Sequence, residues 1–470
     1  MAIEVIVGSG PCAWAAAMGI ISRGGMPILV DFGEKPDIAA PKIRGSSALA
    51  VKGDKDRAEV FAYPRCLVSS EDGGHLPISS ARGGLSRIWG SGILARGASE
   101  FPQWNEIFDE MNHAFASLFS AIPNTGAVDQ LSRRFPNSSN ALIAPQSNRF
   151  ARIVSNMQAQ SMDVLAGFPR LALRVDGGAC VRCGSCLRGC PEDLFFSADR
   201  LLRELERQGL CQIISGPVLE IETSAQNVSI VLPTEKIVAD RVYLAAGPIG
   251  TPSLLQRSDL APKQLRVADS AVFYSLLLNM NRANGDEAEF TAVQAALLAD
   301  HPGRNDFQVS IYESNPEYGD RLGAMFPRVG RVLSIPKLVL NRVNPMIGFL
   351  DSSVSGHLDL KYNAGRTWVR RVENPETRRS AHSVISRVSK RTKGHRLHVL
   401  PRVVLIPKPG SGYHSGASMP MGGDLVGMDS SLRISERVKL VDATVMPRIP
   451  AGSHTFTAMA NAYRVGSAAP

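Results

Sequence analysis

Two groups of residues in this sequence have the types and spacing to do chemistry. The first is Cys180-Val-Arg-Cys183-Gly-Ser-Cys186-Leu-Arg-Gly-Cys190-Pro191. Its C-x2-C-x2-C-x3-C-P spacing is the run that wraps an iron–sulfur cluster in bacterial ferredoxins. Three thiolates at intervals of three can hold one cluster, with Gly184 relaxing the loop and Pro191 turning the chain away. In two-cluster ferredoxins the fourth cysteine of such a run serves the other cluster, and this chain has one run only. Cys190 therefore either completes a [4Fe–4S] site, leaves a [3Fe–4S] site to the other three, or gives way to Cys12, Cys66 or Cys211. A structural zinc on four thiolates and a metal-free buried cysteine cluster are the alternatives.

The second group is C-terminal: Gly412-Tyr-His414-Ser-Gly416, then Val438-Lys-Leu-Val-Asp442, then Ile449-Pro-Ala-Gly-Ser-His454-Thr455. His414 and His454 each lie in a Gly- and Ser-rich turn beside a strand end, where an imidazole can be held facing a cavity. Neutral imidazole is the side chain best poised to take a proton near pH 7. Five other histidines (His75, His113, His301, His382 and His395) read as packing or surface residues, and His357 and His398 are left open.

Such residues need a scaffold, and the first thirty residues supply its start. Ile3, Val5, Ile6 and Val7 form a β-branched run, followed by Gly8, Gly10 and Ala13 and then the helix formers Ala15 to Ile21. This is the Gly-x-Gly-x-x-Ala form of a dinucleotide-binding turn, with the helix start facing a pyrophosphate. Asp31 follows about 20 residues later at the end of a second strand, the place of an acid that holds a ribose hydroxyl. A second glycine-rich stretch, Ala81-Arg-Gly83-Gly84-Leu-Ser86-Arg-Ile-Trp89-Gly90, lets backbone lie against a flat or phosphorylated ligand. The run Ile237 to Leu244 predicts a buried strand ending in Ala245-Ala246-Gly247-Pro-Ile-Gly-Thr-Pro252, a junction that returns the chain to the nucleotide sheet. Asp442 closes a strand in the manner of Asp31.

Between these landmarks, a polar Gly- and Ser-rich region around Arg44-Gly-Ser-Ser47 and Glu71-Asp-Gly-Gly74 reads as loops. Residues 105–122 and 194–210 read as helices, and 123–150 as a loop-rich connection. Residues 212–214, 218–222 and 228–232 are expected to form an antiparallel ribbon. From about 267 to 405 the alternating runs Phe307 to Tyr312, Met346 to Leu350 and Gly356 to Tyr362 predict a separate, mainly antiparallel sheet with flanking helices. Gly319 to Val343 reads as a basic amphipathic segment.

The fold class expected is α/β, α+β overall: a Rossmann-type nucleotide-binding domain over 1–265 that includes the cysteine loop 178–192, an antiparallel-sheet substrate domain over 266–405, and a return to the first domain over 406–470. With 470 residues and 44% hydrophobic composition the chain can bury a large core. No apolar run reaches the length of a membrane span, and the first strand begins at residue 3, which predicts a cytoplasmic protein. Seven cysteines, four of them in one short run, point to metal or redox chemistry in a reducing compartment rather than to a disulfide scaffold. The net charge of +9, without a nucleic-acid motif, favours an acidic redox partner protein.

Gly8-x-Gly10, Gly83-Gly-Leu-Ser-x-x-Trp89, Ala245-Ala-Gly-Pro-Ile-Gly-Thr-Pro252 and the two histidine turns follow one another as in the glucose–methanol–choline (GMC) oxidoreductases. The chain resembles that family over roughly 1–120, 170–260 and 400–465. The resemblance implies FAD extended along Gly8, Gly10, Ala13, Asp31, Gly83, Gly84, Ser86, Trp89, Ala246, Gly247, Asp442 and Thr455. It implies oxidation of an alcohol by a His414/His454 pair, His414 as base and His454 as a hydrogen-bonding partner to the same oxygen. Pyranose oxidases and some relatives attach flavin through a histidine near the family's tryptophan; Ser86-Arg-Ile-Trp89 has none, which implies noncovalent FAD. Sugar dehydrogenases of the family carry an iron–sulfur centre where this cysteine run lies, at a different spacing. An FAD dehydrogenase acting on a sugar, polyol, cyclitol, glycoside or bulky lipid alcohol is thus expected, passing electrons through the cluster to a cytochrome, ferredoxin or quinone. The rival expectations are a ferredoxin-linked flavin reductase or desaturase, and a non-enzymatic flavoprotein subunit with structural zinc.

Overall fold

The computed structural model describes residues 2–32, 63–97, 99–135, 142–159, 163–184, 186, 190–281, 290–303, 305–313, 342–421 and 433–468. The polar stretch at Arg44 and nearly all of the basic segment from Gly319 to Val343 lie outside them.

The β-branched run at the N-terminus forms β1 (Glu4–Val7), buried along its whole length. Pro11, whose missing amide costs nothing in a first turn, then opens α1 (Pro11–Ser22). The chain crosses over to β2 (Ile28–Asp31), parallel to β1. Strand β9 (Arg241–Leu244) pairs with β1 on its other side, also parallel. Two further strands, β5 (Gln212–Ser215) beyond β2 and β20 (Val438–Leu440) beyond β9, extend the parallel layer, and β19 (Arg433–Ser435) closes it antiparallel. The sheet thus changes direction of growth at β1, the point where ligands settle beyond the carboxyl ends of the strands.

Helix α7 (Thr455–Ser467) crosses α1 where both present glycine. A Cβ on Gly19 would stand 2.4 Å from the Tyr463 carbonyl oxygen, and one on Gly466 2.4 Å from that of Ala16. The helices approach backbone to backbone, so the last helix is locked on the first. Helix α2 (Phe108–Ala121) packs on α7 through Phe115 and Phe119 against Phe456.

A six-stranded antiparallel sheet has the order β17 (Leu397–Leu405), β11 (Val272–Asn279), β14 (Val343–Leu350), β13 (Phe307–Tyr312), β12 (Val293–Ala299) and β4 (Val164–Gly167). Its period of two assigns the faces. Phe307, Val309 and Ile311 of β13 and Met346 and Leu350 of β14 enter a core shared with α3 (Asn148–Gln158) and α6 (Glu376–Lys393). The opposite face carries Gln308, Ser310, Tyr312, Ile347 and Phe349 and lines a cavity. Helix α6 begins with Glu376 and ends with Lys390, Arg391 and Lys393, matching its charges to the helix dipole.

Several segments differ from the sequence expectation. Residues 212–215 are not part of the ribbon; they pair parallel with β2. The ribbon consists of β6 (Glu220–Thr223), β7 (Val228–Val231) and β8 (Lys236–Ala239). The single strand expected over 237–244 is two, β8 and β9, broken at Asp240, whose carboxylate accepts from the Ile3 amide at 2.8 Å. The loop-rich stretch to Phe150 runs into α3, whose Phe150, Ile153, Val154 and Met157 face the core. The alternating run 356–362 joins neither expected neighbour. As β15 (His357–Asn363) it sits in a five-stranded sheet with β18 (Ser415–Gly416), β10 (Gln264–Asp269), β16 (Arg366–Val372) and β3 (Val68–Ser70), packed on the core of the parallel layer. Two further helices, α4 (Ala198–Arg207) and α5 (Gly247–Arg257), flank that same core.

Candidate functional site

One cavity of about 1070 Å³ runs from the carboxyl ends of the parallel strands to the face of the six-stranded sheet. At its first end, Gly8 takes φ +114, and a Cβ there would lie 2.4 Å from the Ala245 carbonyl oxygen. Only glycine lets β1 approach β9 so closely and then turn. Gly10 begins α1 with nothing within 4 Å of a Cβ position. The helix has no side-chain cap and no acid in its first turn, so its free amides and positive dipole end open on the cavity. Ala13 does not line the cavity; it is buried in the core behind the turn.

Asp31, at the end of β2, accepts a 2.6 Å hydrogen bond from the Ser9 hydroxyl, which itself accepts from the Gly83 amide at 2.8 Å. Ser9, which the sequence did not single out, therefore ties two expected contact positions, Asp31 and Gly83, together. Gly83 (φ +82) is pressed on α4, where a Cβ would meet Asp199 at 2.7 Å, while Gly84 faces Gly10. Ser86 and Trp89 hold this loop rather than offer free donors. The Ser86 hydroxyl donates to the Gly83 carbonyl and accepts from the Ala198 amide, and Trp89 Nε1 donates to the Phe196 carbonyl at 3.0 Å.

Asp442 is likewise occupied. It accepts from the Gly247 amide at 2.8 Å, the Thr251 hydroxyl and the Thr444 amide at 3.0 Å. Burial pushes its carboxyl up and these donors pull it back. It shapes the Ala246–Gly247 turn, and both of those residues line the cavity with Thr455.

At the second end the rings of His414 and His454 stand edge to face, centroids 5.3 Å apart and planes at 84°. The His414 turn is held by two adjacent residues of β10 and its exit. Buried Asp269 accepts from the Gly410 amide and the Ser415 hydroxyl, both at 2.8 Å, and the Ser270 amide donates to the His414 carbonyl at 2.8 Å. These bonds keep Tyr413 left-handed at φ +59. Burial pushes the Asp269 carboxyl up to about 6 against those two donors. The His414 ring lies 4.4 Å from that of Phe349.

The His454 turn hangs on Arg96. That guanidinium, fully buried, donates through Nε to the Ser453 carbonyl at 2.9 Å and through Nη2 to the Ala451 carbonyl. Its charge is met by Glu100 and Asp306, which Arg134 shares at 2.6 and 2.9 Å. From the antiparallel sheet, Gln308 accepts from the Ser453 amide at 3.1 Å. Burial, and to a lesser degree the Arg96 charge, push His454 down to about 4, so its ring is neutral at pH 7. A neutral imidazole there can accept or share a proton but carries no charge. The signal for Arg96 in the sequence is a lone arginine ending the apolar run Ile93-Leu-Ala.

The four thiols lie to one side of this path. Cys186 and Cys190 line the cavity, whereas Cys180 and Cys183 do not, and Cys183 is exposed. Burial pushes Cys186 up to about 11, partly offset by the amides of Thr291 and Ala292; burial also raises Cys190, offset by those of Leu194 and Glu192. Among the described residues no three His, Cys, Asp or Glu side chains stand together as a metal-holding group. The expected cluster ligand set is therefore not assembled in this arrangement of Cys180, Cys183, Cys186 and Cys190. Among the described residues no helix is long and apolar enough to cross a membrane.

No protein-family model and no curated protein matches the sequence. Solved structures do match over nearly the whole length. Pyridoxine 4-oxidase from Mesorbium loti aligns with 99% of this chain and 98% of its own, at 15% identity and TM-score 0.62. An FAD-dependent oxidoreductase from Chaetomium thermophilum, solved with a bound fragment, aligns over the same shares at 11% identity and TM-score 0.57. The α/β architecture with its antiparallel second sheet is the fold of both.

Proposed function

We propose that this chain is an FAD-dependent oxidoreductase that oxidises an alcohol to a carbonyl. One observation carries the reading: a pair of edge-to-face histidines closes one end of a cavity whose other end is a dinucleotide-type strand, turn and helix. FAD would be held by Gly8, Gly10, Asp31, Gly84, Ala246, Gly247 and Thr455, and the open space at Gly10 and the uncapped start of α1 fit a pyrophosphate. When bound, the flavin supplies the acceptor for the hydride leaving the substrate carbon. His414 takes the hydroxyl proton as that bond breaks, and neutral His454 holds the same oxygen. The fold shared with pyridoxine 4-oxidase and an FAD-dependent oxidoreductase supports this reading.

The cysteine run extends the reading to a dehydrogenase that passes electrons to an outside acceptor, and seven unpaired thiols are in keeping with a reducing, cytoplasmic setting. The hydroxyl of a sugar, polyol, cyclitol or glycoside could meet His414 in the same way. The cysteine run supports a second element, an iron–sulfur exit to an acidic carrier protein, because Cys186 and Cys190 line the cavity and backbone amides point at their sulfurs.

Anaerobic titration of the purified protein with alcohols tests the main reading: the flavin absorbance should bleach with one equivalent of a good substrate. Flavin that bleaches only with reduced ferredoxin would replace it by the reductase or desaturase reading. Iron and sulfide analysis of the same preparation decides the cysteine loop. Zinc, or no metal, overturns the electron exit.

A further inference from the structure

Resting on the alcohol-oxidising reading above, we infer that the substrate is an alcohol with an apolar or aromatic body, a benzylic, allylic or long-chain alcohol, rather than a polyhydroxylated one. The inference comes from the wall that faces the histidines. On three neighbouring strands of the six-stranded sheet, the residues turned to the cavity are Tyr274 and Leu276, then Pro345, Ile347 and Phe349, then Gln308, Ser310 and Tyr312. None is an acid or a base at neutral pH. Phe349 touches the His414 ring, so the apolar wall reaches the reacting position itself.

A sugar or polyol brings several hydroxyls into a site, and each one left without a partner weakens binding by about tenfold. This wall offers them little. The Gln308 carbonyl oxygen is already taken by the Ser453 amide, which leaves the Gln308 amide nitrogen, Ser310 and the tyrosine hydroxyls as uncharged side-chain partners. The charged groups that line the cavity lie on other elements, and three of them are engaged away from the wall. Arg170 is bound to Asp129, Arg257 to the carbonyls of Leu219 and Val218, and Asp199 to Arg203. Among the described residues, then, the wall gains by covering apolar surface, and beside the histidine pair it offers a few uncharged polar groups and no ionic partner. The reaction balances on that geometry: the hydroxyl proton passes to His414, the hydride on the same carbon to the bound flavin, and an aldehyde or ketone leaves.

The test compares cinnamyl alcohol, benzyl alcohol and 1-octanol with glucose, sorbitol and myo-inositol on the FAD-loaded enzyme, using an artificial dye acceptor. We expect kcat/KM at least about 100-fold higher for the best apolar alcohol. A sugar or polyol that is turned over as well as the apolar alcohols overturns the inference. Ile347→Asn, which places an amide on the half-buried wall, should lower kcat/KM for the apolar alcohol about tenfold, and Ile347→Leu should restore it. Equal values for the two variants also overturn it. Difference spectra of the bound flavin separate the two levels of argument. Spectral perturbation by cinnamyl alcohol without bleaching keeps the ligand class and removes the oxidation reading. Bleaching by sorbitol but not by cinnamyl alcohol does the reverse.

Discussion

Arg96 donates through Nε to the Ser453 carbonyl at 2.9 Å, so a fully buried guanidinium 357 residues earlier in the chain fixes the turn that presents His454. The same side chain reaches the Ala451 carbonyl and pairs with Glu100 and Asp306, and the Ser453 amide is bound from the other side by Gln308. The turn before His454 is thus gripped between Arg96 and a strand of the antiparallel sheet.

Arg96→Lys keeps the charge but loses the planar fork that serves two carbonyls and a carboxylate at once. FAD should remain bound while substrate reduction of the flavin slows by about 10- to 100-fold, the scale of a small misplacement at a reacting centre. Stopped-flow bleaching measures this, and a wild-type rate would remove Arg96 as a positioning residue. Arg96→Ala should also lower stability by about 3–5 kcal/mol in urea unfolding, because Glu100 and Asp306 lose one cation and, among the described residues, keep Arg134 as the ion-pair partner.

His414→Ala removes the proposed base without touching the nucleotide end of the cavity. Loss of one general base costs about 10²–10⁴-fold in rate. The variant should bind FAD normally and bleach that much more slowly with any alcohol the wild type oxidises. A decrease under about tenfold would move the base to His454.

The parts of this site that are legible in the sequence are local. The β1 turn, Asp31 after the second strand and the Gly- and Ser-rich histidine turns each carry their signal within a few residues. Ser9 carries none of that kind, Arg96 only its place at the end of an apolar run, and Asp269 none. Their roles come from Gly83, Ser453 and Gly410, which lie far away in the sequence and reach them only through the fold. Pattern also misleads where two partners compete. Residues 212–215 alternate like ribbon neighbours, yet the open edge beside β2 takes them into the parallel sheet. Residues 237–244 read as one strand because the break is a single Asp240 bonded back to Ile3. The cysteine spacing names a ligand set that the described arrangement does not assemble, since Cys186 and Cys190 turn to the cavity while Cys183 is exposed.

The cofactor end yields a direct expectation. Acid precipitation should release free FAD into the supernatant, because the loop before Trp89 holds Ser86, whose hydroxyl is already bonded to the Gly83 carbonyl and the Ala198 amide. Flavin left in the pellet would show a covalent bond. Ser9→Ala should weaken FAD about fivefold to tenfold in apoprotein titration, since it breaks the bridge from Asp31 to Gly83. Unchanged affinity would mean that the two loops hold their places without it.

The pH dependence of stability should reveal two buried groups working against each other. His454 sits near 4 in the fold against an ordinary value of 6.5. As pH falls below about 6.5 the unfolded chain takes up a proton that the folded ring refuses, and stability drops until about pH 4. Asp269 sits near 6 against an ordinary 3.8. The fold keeps that proton longer than the unfolded chain, so its contribution is full below about 3.8 and is lost as pH rises towards 6. Between about pH 4 and 6 the two slopes oppose, and the wild-type melting temperature should gain or lose little from either. Asp269→Asn removes one of them, and its melting temperature should climb with pH more steeply than that of wild type across this window. His454→Asn removes the other and should tilt the profile the opposite way. Thermal melts of the three proteins at half-unit steps measure the slopes, and two variants that both run parallel to wild type would show that neither group is shifted by its burial.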